Sequence, residues 1–492
     1  MVALAGAGRG SADGAAPKGV EEVTETRWLA EYAWLPDQAE PTADVLIEAE
    51  DGRITAVTPL GGAGTPTAGV EVLGDATRLP GLTLPGLANA HSHAFHRALR
   101  GRTHGGRGDF WTWRDVMYEV ATRLDPDSYL ALARAAYAEM ALAGITCVGE
   151  FHYLHHGPDG TPYADPNAMG AALVEAATQA GIRLTLLDAC YLTATVDGEP
   201  LTGPQRRFGD GDALRWADRA SALADTVERT GDTKRSGDTG RSGDTRRVLV
   251  GAAVHSVRAV PAEQLATVAG WANRRGAPLH LHLSEQPAEN DACRAAHGRT
   301  PARLLADHGV LGPGTVAVHA THPTSADVTL LGDTGTGVCL CPTTERDLAD
   351  GIGPARRLAE AGVALSLGSD SHAVIDLFEE ARAVELDERL RTRRRGHFTP
   401  AELLTAATVA GHAALGWRDA GRIAVGDRAD LVTVRLDSAR TAGVPPAGAF
   451  FAATAADVAS VVVDGRQVVA DGRHLRVDVP RELRTAIGAV TR

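Results

Sequence analysis

Residues 87–101 read LANAHSHAFHRALRG, a short apolar run that leads directly into His91 and His93. Successive side chains of a strand point to opposite faces, so two histidines that are two positions apart share one face. Two ligands of one metal ion need this spacing. Three later apolar runs end in comparable residues: His280, His282 and Glu285 in PLHLHLSEQ, His319 in VAVHATH, and Asp370 in LSLGSDSH. Potential metal ligands and proton carriers therefore recur where predicted strands end.

The apolar runs follow a regular rhythm. They lie at about 81–90, 144–151, 182–190, 248–255, 278–284, 314–320, 335–341 and 363–369, and segments with helical periodicity separate most of them. Strands that alternate with helices are typical of a parallel sheet, and eight such units predict an α/β fold with a (β/α)8 barrel. An open doubly wound sheet is the alternative, but it would need a Gly-rich phosphate turn after an early strand, and the sequence has no GxGxxG there.

The two flanks of this region have a different pattern. Residues 25–80 and 420–475 contain short alternating strands, with Asp-Gly turn signals at 51–52, 464–465 and 471–472. We expect both flanks to form one small composite β-sandwich beside a barrel that spans 81–419. Residues 1–24 are predicted to be a disordered tail, and the thrice-repeated GDT triplet predicts a disordered insert at about 228–247. Residues 476–492 are expected to form a tail or a helix.

Composition excludes several classes of protein. The 492 residues are 44% hydrophobic and 23% charged, with a net charge of −13. These values are typical of a soluble globular protein and disfavour nucleic-acid or anionic-membrane partners. No apolar run is long enough for a transmembrane helix, and the first residues do not resemble a secretory signal. Five scattered cysteines argue against a disulfide framework. Together these features predict a cytoplasmic protein.

The strand-end residues indicate metal chemistry. A lone histidine on a strand is more often structural than functional, but this pattern recurs at several strand ends. Three imidazoles and one carboxylate, with one position left for water, suit a catalytic Zn²⁺ ion. Fe²⁺ and Mn²⁺ also fit such a donor set.

The set of strand-end residues resembles the metal-dependent amidohydrolase superfamily, in particular its deaminase-like branch with one metal ion. By this resemblance the metal ligands would be His91, His93, His282 and Asp370. Glu285 would carry protons, His319 would orient the attacking water, and Asp370 would accept its proton. Members with two metal ions place a lysine at the fourth strand end, where this chain has His255. The resemblance therefore implies one divalent metal per chain, with Zn²⁺ as the expected ion.

Longer motifs narrow the resemblance. The segments FWTWRDVMY, GEFHYLHH, HSVRAV and CPTTERDLADG are similar to those of the formimidoylglutamate deiminases of histidine degradation, over about residues 25–475. That family implies a homodimer that converts N-formimino-L-glutamate to N-formyl-L-glutamate and ammonia, by attack of a hydroxide generated on the metal. The substrate would be held by Arg114, Tyr153, His255, Arg258 and His96. Arginine suits the two carboxylates of such a substrate. The family usually has glutamine at the position of His96.

Three other functions stay open at this point. A deaminase or hydrolase of a purine, pyrimidine or triazine would share every metal ligand, but it would have stacking aromatic side chains in place of paired arginines. A non-catalytic binding protein on the same fold would be expected to have lost some of the ligands. The one-methylene-shorter N-formimino-aspartate is a third alternative, because a single methylene contributes only about 1–3 kcal/mol to discrimination.

Overall fold

The computed structural model describes residues 25–61, 75–103, 110–233 and 246–491, and within them the side chains of 110–112 and 231–233 are not described. The strands are β1 (Glu25–Ala33), β2 (Thr42–Glu50), β3 (Arg53–Pro59), β4 (Thr77–Pro85), β5 (Leu87–Ser92), β6 (Ile145–His152), β7 (Arg183–Cys190), β8 (Val248–Val254), β9 (Leu279–Leu283), β10 (Thr315–His319), β11 (Gly337–Leu340), β12 (Leu365–Leu367), β13 (Leu431–Val434), β14 (Val458–Val463), β15 (Arg466–Ala470) and β16 (Arg473–His474).

The helices follow or separate these strands. They are α1 (Phe110–Arg123), α2 (Pro126–Leu142), α3 (Ala168–Ala180), α4 (Ala213–Thr233), α5 (Ala262–Arg275), α6 (Pro287–His297), α7 (Pro301–Asp307), α8 (Ser325–Thr334), α9 (Pro342–Asp347), α10 (Ala355–Glu360), α11 (Leu377–Thr392), α12 (Pro400–Ala407), α13 (Val409–Ala414), α14 (Pro446–Ala452) and α15 (Val479–Thr491). Among the described residues, no helix has both the length and the apolar character needed to cross a bilayer.

Strands β5 to β12 form the predicted barrel. They pair in chain order, each parallel to the next, and at least one helix follows every strand. The outer strands β5 and β12 meet through a parallel bridge between Ser92 and Asp370, which closes the sheet on itself. All residues of β6 and β7 are buried, as expected for strands covered on both faces. The (β/α)8 fold is therefore confirmed, and the open sheet is excluded.

The strands from the two flanks form a second, mostly antiparallel sheet. Its order is β16-β15-β14-β13-β4-β1-β2-β3, so the two chain ends join where β13 pairs with β4. Thr83 and Thr433, 350 residues apart in the chain, face each other there with their hydroxyl oxygens 3.1 Å apart. The predicted composite β domain is present, and its strands form one hydrogen-bonded sheet.

The run predicted as one strand at about 81–90 is divided in the structure. Its first part belongs to β4 in the flanking sheet, and its second part is barrel strand β5. Gly86 lies between them, and a Cβ atom on Gly86 would come within 2.3 Å of the Thr146 hydroxyl oxygen. The chain thus passes from one sheet to the other at a residue where no side chain fits. An uninterrupted apolar pattern does not reveal such a crossing.

The predicted insert and the two chain ends are described only in part. Residues 228–233, at the start of the insert predicted at about 228–247, belong to α4, which ends at Thr233. Residues 234–245 and the predicted tail 1–24 lie outside the described residues. Near the C-terminus the chain forms α15, which contacts α2, and Glu482 of α15 forms an ion pair with Arg134.

A buried ion network joins the flanking sheet to the base of the barrel. Arg183 begins β7, its side chain is fully buried, and it donates hydrogen bonds to Asp430 (3.0 Å) and Asp464 (2.7 Å). These carboxylates lie beside β13 and β14 of the other sheet. Arg428 also donates to Asp464, at 3.1 Å. The pairs link residues that are distant in the chain, so they fix the sheet against the barrel.

We expect Arg183→Ala to lower the free energy of unfolding by about 3–5 kcal/mol, because it removes the buried cation that contacts both Asp430 and Asp464. Denaturant titration followed by circular dichroism measures the change. The matched control is Arg303→Ala, whose exposed pair with Asp307 contributes at most about 1 kcal/mol. Equal effects of the two variants would contradict a linking role for Arg183.

Candidate active site

Four potential metal ligands meet at the C-terminal end of the barrel. His91 and His93 end β5, His282 lies in β9, and Asp370 follows β12. The Nε2 atom of His91 lies 3.2 Å from Nε2 of His282 and 3.3 Å from Oδ1 of Asp370. Nε2 of His93 lies 3.4 Å from the same Oδ1. All four side chains are buried, and their ligand atoms face one another.

Backbone carbonyls orient two of these imidazoles. Nδ1 of His93 donates to the Phe151 carbonyl, and Nδ1 of His282 donates to the His255 carbonyl, each at 2.9 Å. Each Nε2 is then unprotonated and directed at the cluster, which is the usual arrangement of a metal-binding histidine. Burial lowers the pKa of both histidines well below its ordinary value, which keeps them neutral. Three neutral imidazoles and one carboxylate fit a divalent ion such as Zn²⁺.

Two further predicted residues lie beside this cluster. Nε2 of His319, at the end of β10, is 3.8 Å from Glu285 Oε1 and 3.8 Å from Asp370 Oδ2. Burial by itself would lower the pKa of His319, but the carboxylates around it outweigh burial and raise the pKa well above its ordinary value. Burial raises the pKa of Glu285. The arrangement brings two groups that can carry protons to one side of the ligand set.

Glu345 is a site residue to which the sequence analysis gave no role. Its Oε1 lies 3.4 Å from Nδ1 of His319 and accepts a hydrogen bond of 2.9 Å from the backbone N–H of Cys341. Glu345 therefore holds His319 from the side opposite Glu285. The only signal in the sequence was its place in the motif CPTTERDLADG, just after the seventh barrel strand.

The backbone is strained at two of these positions. His319 has φ 68° and Asp370 has φ 39°, both in the left-handed region that residues other than glycine rarely adopt. Gly368, just before Asp370, leaves room for β5, because a Cβ atom there would lie 2.8 Å from Cβ of His91. Strain of this kind persists where the surrounding structure enforces it, and it is concentrated at functional sites.

A cavity of about 400 Å³ opens over the ligand set. All five predicted substrate-binding residues line it: His96, Arg114, Tyr153, His255 and Arg258. The cavity is also lined by Glu285, His319, Asp370 and two of the histidine ligands, so the structure brings the predicted groups together in one space. This volume accommodates a small organic molecule.

The two arginines belong to a polar group with two tyrosines. Arg258 donates a hydrogen bond of 2.9 Å to the Tyr191 hydroxyl, and the Arg114 guanidinium lies 5.5 Å from the centre of the Tyr118 ring. Burial by itself would raise the pKa of Tyr191, but the positive charge of Arg258 and its hydrogen bond outweigh burial and lower it. Tyr191 was not identified from the sequence, because a single tyrosine after a strand carries no distinctive pattern.

His96 lies close to the candidate metal ligands. Its Nε2 is 2.9 Å from the Tyr153 hydroxyl, and its ring centre is 4.6 Å from that of His93. Burial lowers the pKa of His96 to about 3, so the ring is neutral. His96 and Tyr153 therefore form one hydrogen-bonded pair at the wall of the cavity, and the ring centre of His255 lies 5.5 Å from that of Tyr153.

A second buried cluster could be mistaken for a metal site. His152, His155 and Asp188 bring three ligand atoms within 4.8 Å of one another. Asp188, however, accepts hydrogen bonds from Arg219 and from the Trp216 indole. Nε2 of His155 donates to the Ala189 carbonyl at 2.9 Å. Nδ1 of His155 also lies 3.3 Å from Nε2 of His152, so the three residues form a hydrogen-bond network behind the cavity.

Comparison with known proteins agrees with this geometry. The amidohydrolase family profile matches residues 82–468. The chain therefore belongs to the amidohydrolase family and is a metal-dependent hydrolase. It is similar to the formimidoylglutamate deiminase of Pseudomonas aeruginosa, with 38% identity over 369 residues, which cover 73% of this chain and 77% of that protein. The resemblance derived from the sequence motifs is thus confirmed.

Solved structures support the same fold. The amidohydrolase from Brucella melitensis has 32% identity and a TM-score of 0.83, covering 95% of this chain and 100% of that one. A variant of atrazine chlorohydrolase from Arthrobacter aurescens, solved with zinc and atraton, has a TM-score of 0.81 at 23% identity, covering 95% of this chain and 99% of that one. At this lower identity the likeness concerns the fold alone.

We expect His282→Ala to retain less than about a tenth of the wild-type metal after dialysis, because the site loses one of its four protein ligands. Metal content per chain is measured by plasma mass spectrometry. His280→Gln is the matched control on the same strand, since glutamine can still donate to the Ala414 carbonyl that His280 contacts at 2.9 Å. Full metal content in His282→Ala would contradict the ligand assignment.

Proposed function

We propose that the protein hydrolyses N-formimino-L-glutamate to N-formyl-L-glutamate and ammonia. The observation that carries this proposal is that Arg114 and Arg258 line the same cavity as the ligand set. Guanidinium groups match carboxylates, and this substrate has two of them. The similarity to a formimidoylglutamate deiminase supports the same substrate.

In the proposed complex the substrate extends from the two arginines to the candidate metal ligands. Arg114 and Arg258 bind its carboxylates, with Tyr191 holding Arg258 in place through their 2.9 Å hydrogen bond. Tyr153, His255 and His96 also line the cavity and position the formimino group over the candidate metal ligands. Contacts to the carboxylates and to the formimino group hold the reacting carbon in one position, and such positioning can supply a large part of the rate enhancement.

The reaction needs an activated water molecule and a proton for the leaving nitrogen. A divalent ion held by the four ligands would lower the pKa of water and polarise the substrate. Asp370 and His319, whose Oδ2 and Nε2 atoms are 3.8 Å apart, orient the attacking water, and Asp370 takes its proton. Glu285 then delivers a proton to the departing nitrogen, and the raised pKa of its buried carboxyl suits that transfer.

The proposal extends to cofactor, assembly and location. It includes one Zn²⁺ ion per chain, a homodimer, and a cytoplasmic role in histidine degradation. The four-atom ligand set suits a single ion. A reducing compartment agrees with the five cysteines, all of them described, buried and free.

Hydrolysis of a triazine or a purine is the second candidate, because aromatic side chains such as Tyr153 and Phe208 also line the cavity. The two arginines disfavour this second candidate, because a neutral aromatic substrate has no carboxylate for them to bind. The deciding experiment is ammonia release from N-formimino-L-glutamate, with and without a chelator, with ammonia release from guanine and cytosine and chloride release from atrazine as controls. Chelator-sensitive turnover of the formimino substrate alone is expected, and turnover of a control substrate alone would overturn the proposal.

We expect Glu285→Gln to keep its metal and to lose turnover by about 100-fold to 10,000-fold, because glutamine fills the same space and cannot transfer a proton. The measurements are kcat and metal content of the same preparation. A wild-type rate in this variant would show that another group supplies the proton.

A further inference from the structure

Glu289 is a cavity residue for which the proposed mechanism has no use. It lies in the first turn of α6 and lines the cavity together with Glu285. Its Oε2 accepts a hydrogen bond of 3.2 Å from the backbone N–H of Glu285. Its other oxygen, Oε1, is buried and has no hydrogen-bond partner among the described residues. One oxygen thus has a structural contact, and the other is left for a ligand.

An unsatisfied buried carboxyl oxygen is costly for a folded protein. Burial and the neighbouring Glu285 raise the pKa of Glu289 to about 7, although the positive charge of Arg258 partly offsets both. A hydrophobic residue at this position would avoid the cost. A cationic or hydrogen-bond-donating ligand in the cavity would instead satisfy the oxygen and stabilise the ionised carboxylate.

The substrate and product of the proposed reaction differ in this property. The formimino group is an amidine, a strong base that is a cation near neutral pH and carries only N–H donors. Hydrolysis replaces its terminal nitrogen with a carbonyl oxygen, which leaves a neutral formyl group with an acceptor at that end. The carboxylates of the glutamate part do not change. A carboxylate beside the reacting group therefore attracts the substrate and disfavours the product.

We propose that Glu289 is a specificity-determining residue that accepts a hydrogen bond from the cationic formimino group and so distinguishes substrate from product. This inference rests on the proposed function. Glu285 and Glu289 then divide the work: Glu285 transfers a proton to the departing nitrogen, and Glu289 contributes the charge that holds the substrate and releases the formyl product. Because the two arginines bind the carboxylates of substrate and product alike, the discrimination between these two molecules depends on Glu289.

The test compares KM for N-formimino-L-glutamate with Ki for N-formyl-L-glutamate, at about pH 8, above the pKa of Glu289. In Glu289→Gln we expect KM to rise and Ki to fall, so that the ratio Ki/KM drops about tenfold or more, as expected for one hydrogen bond to a charged group. Glutamine retains an oxygen that can accept from the Glu285 N–H, so a purely structural role would change KM and Ki by the same factor or leave both unchanged.

Two control variants complete the experiment. Glu289→Asp keeps the charge and is expected to keep Ki/KM closer to the wild-type value than Glu289→Gln does. This comparison holds even where Glu289→Gln lowers the stability of the protein. Glu263→Gln changes an exposed glutamate in the first turn of α5 and is expected to leave the ratio unchanged. An unchanged ratio in Glu289→Gln, with an active wild-type enzyme, overturns this inference alone. A wild-type enzyme that does not release ammonia from the formimino substrate overturns the proposed function and this inference together.

Discussion

The structure depends on the contact that closes the barrel between its first and last strands. The backbone N–H of Asp370 donates to the His91 carbonyl at 3.0 Å, and the N–H of His93 donates to the Asp370 carbonyl at 3.2 Å. Three of the four candidate metal ligands thus complete the sheet with their own backbones. Glu150 adds support from β6, where it accepts from the Ser92 hydroxyl and the Ala94 N–H, each at 2.7 Å. The backbone hydrogen bonds that close the barrel therefore also fix the positions of these ligands.

The cavity above this closure is lined by side chains of both charges. Carboxylates are concentrated around His319, where Glu285, Glu345 and Asp370 all raise its pKa, and the two arginines lie with tyrosines along the wall. A substrate that carries both carboxylates and a basic group would find groups of opposite charge for each in this cavity. A small aromatic ring would use neither feature. The electrostatics of the cavity therefore support a linear, zwitterionic substrate.

Site residues could be predicted from the sequence where a single strand determines both the spacing of the side chains and the direction in which they point. The histidines of β5 and β9 could be predicted because strand periodicity and strand ends fix where such side chains point. Glu345 and Glu289 could not, since each lies in the first turn of a helix and its contacts depend on how that helix packs. The division of one apolar run at Gly86 was missed for a similar reason, because two adjacent sheets produce a continuous hydrophobic pattern.

The flanking sheet has a consequence for how the chain is made. β4 lies between β1 and β13, and its pairing with β13 joins residues that are 350 positions apart, as in Thr83 and Thr433. During synthesis from the N-terminus, one edge of β4 has no strand to pair with until nearly the whole barrel has left the ribosome. An exposed strand edge readily pairs with other chains. Completion of this domain is therefore a late step, and the nascent protein depends on protection of that edge in the meantime.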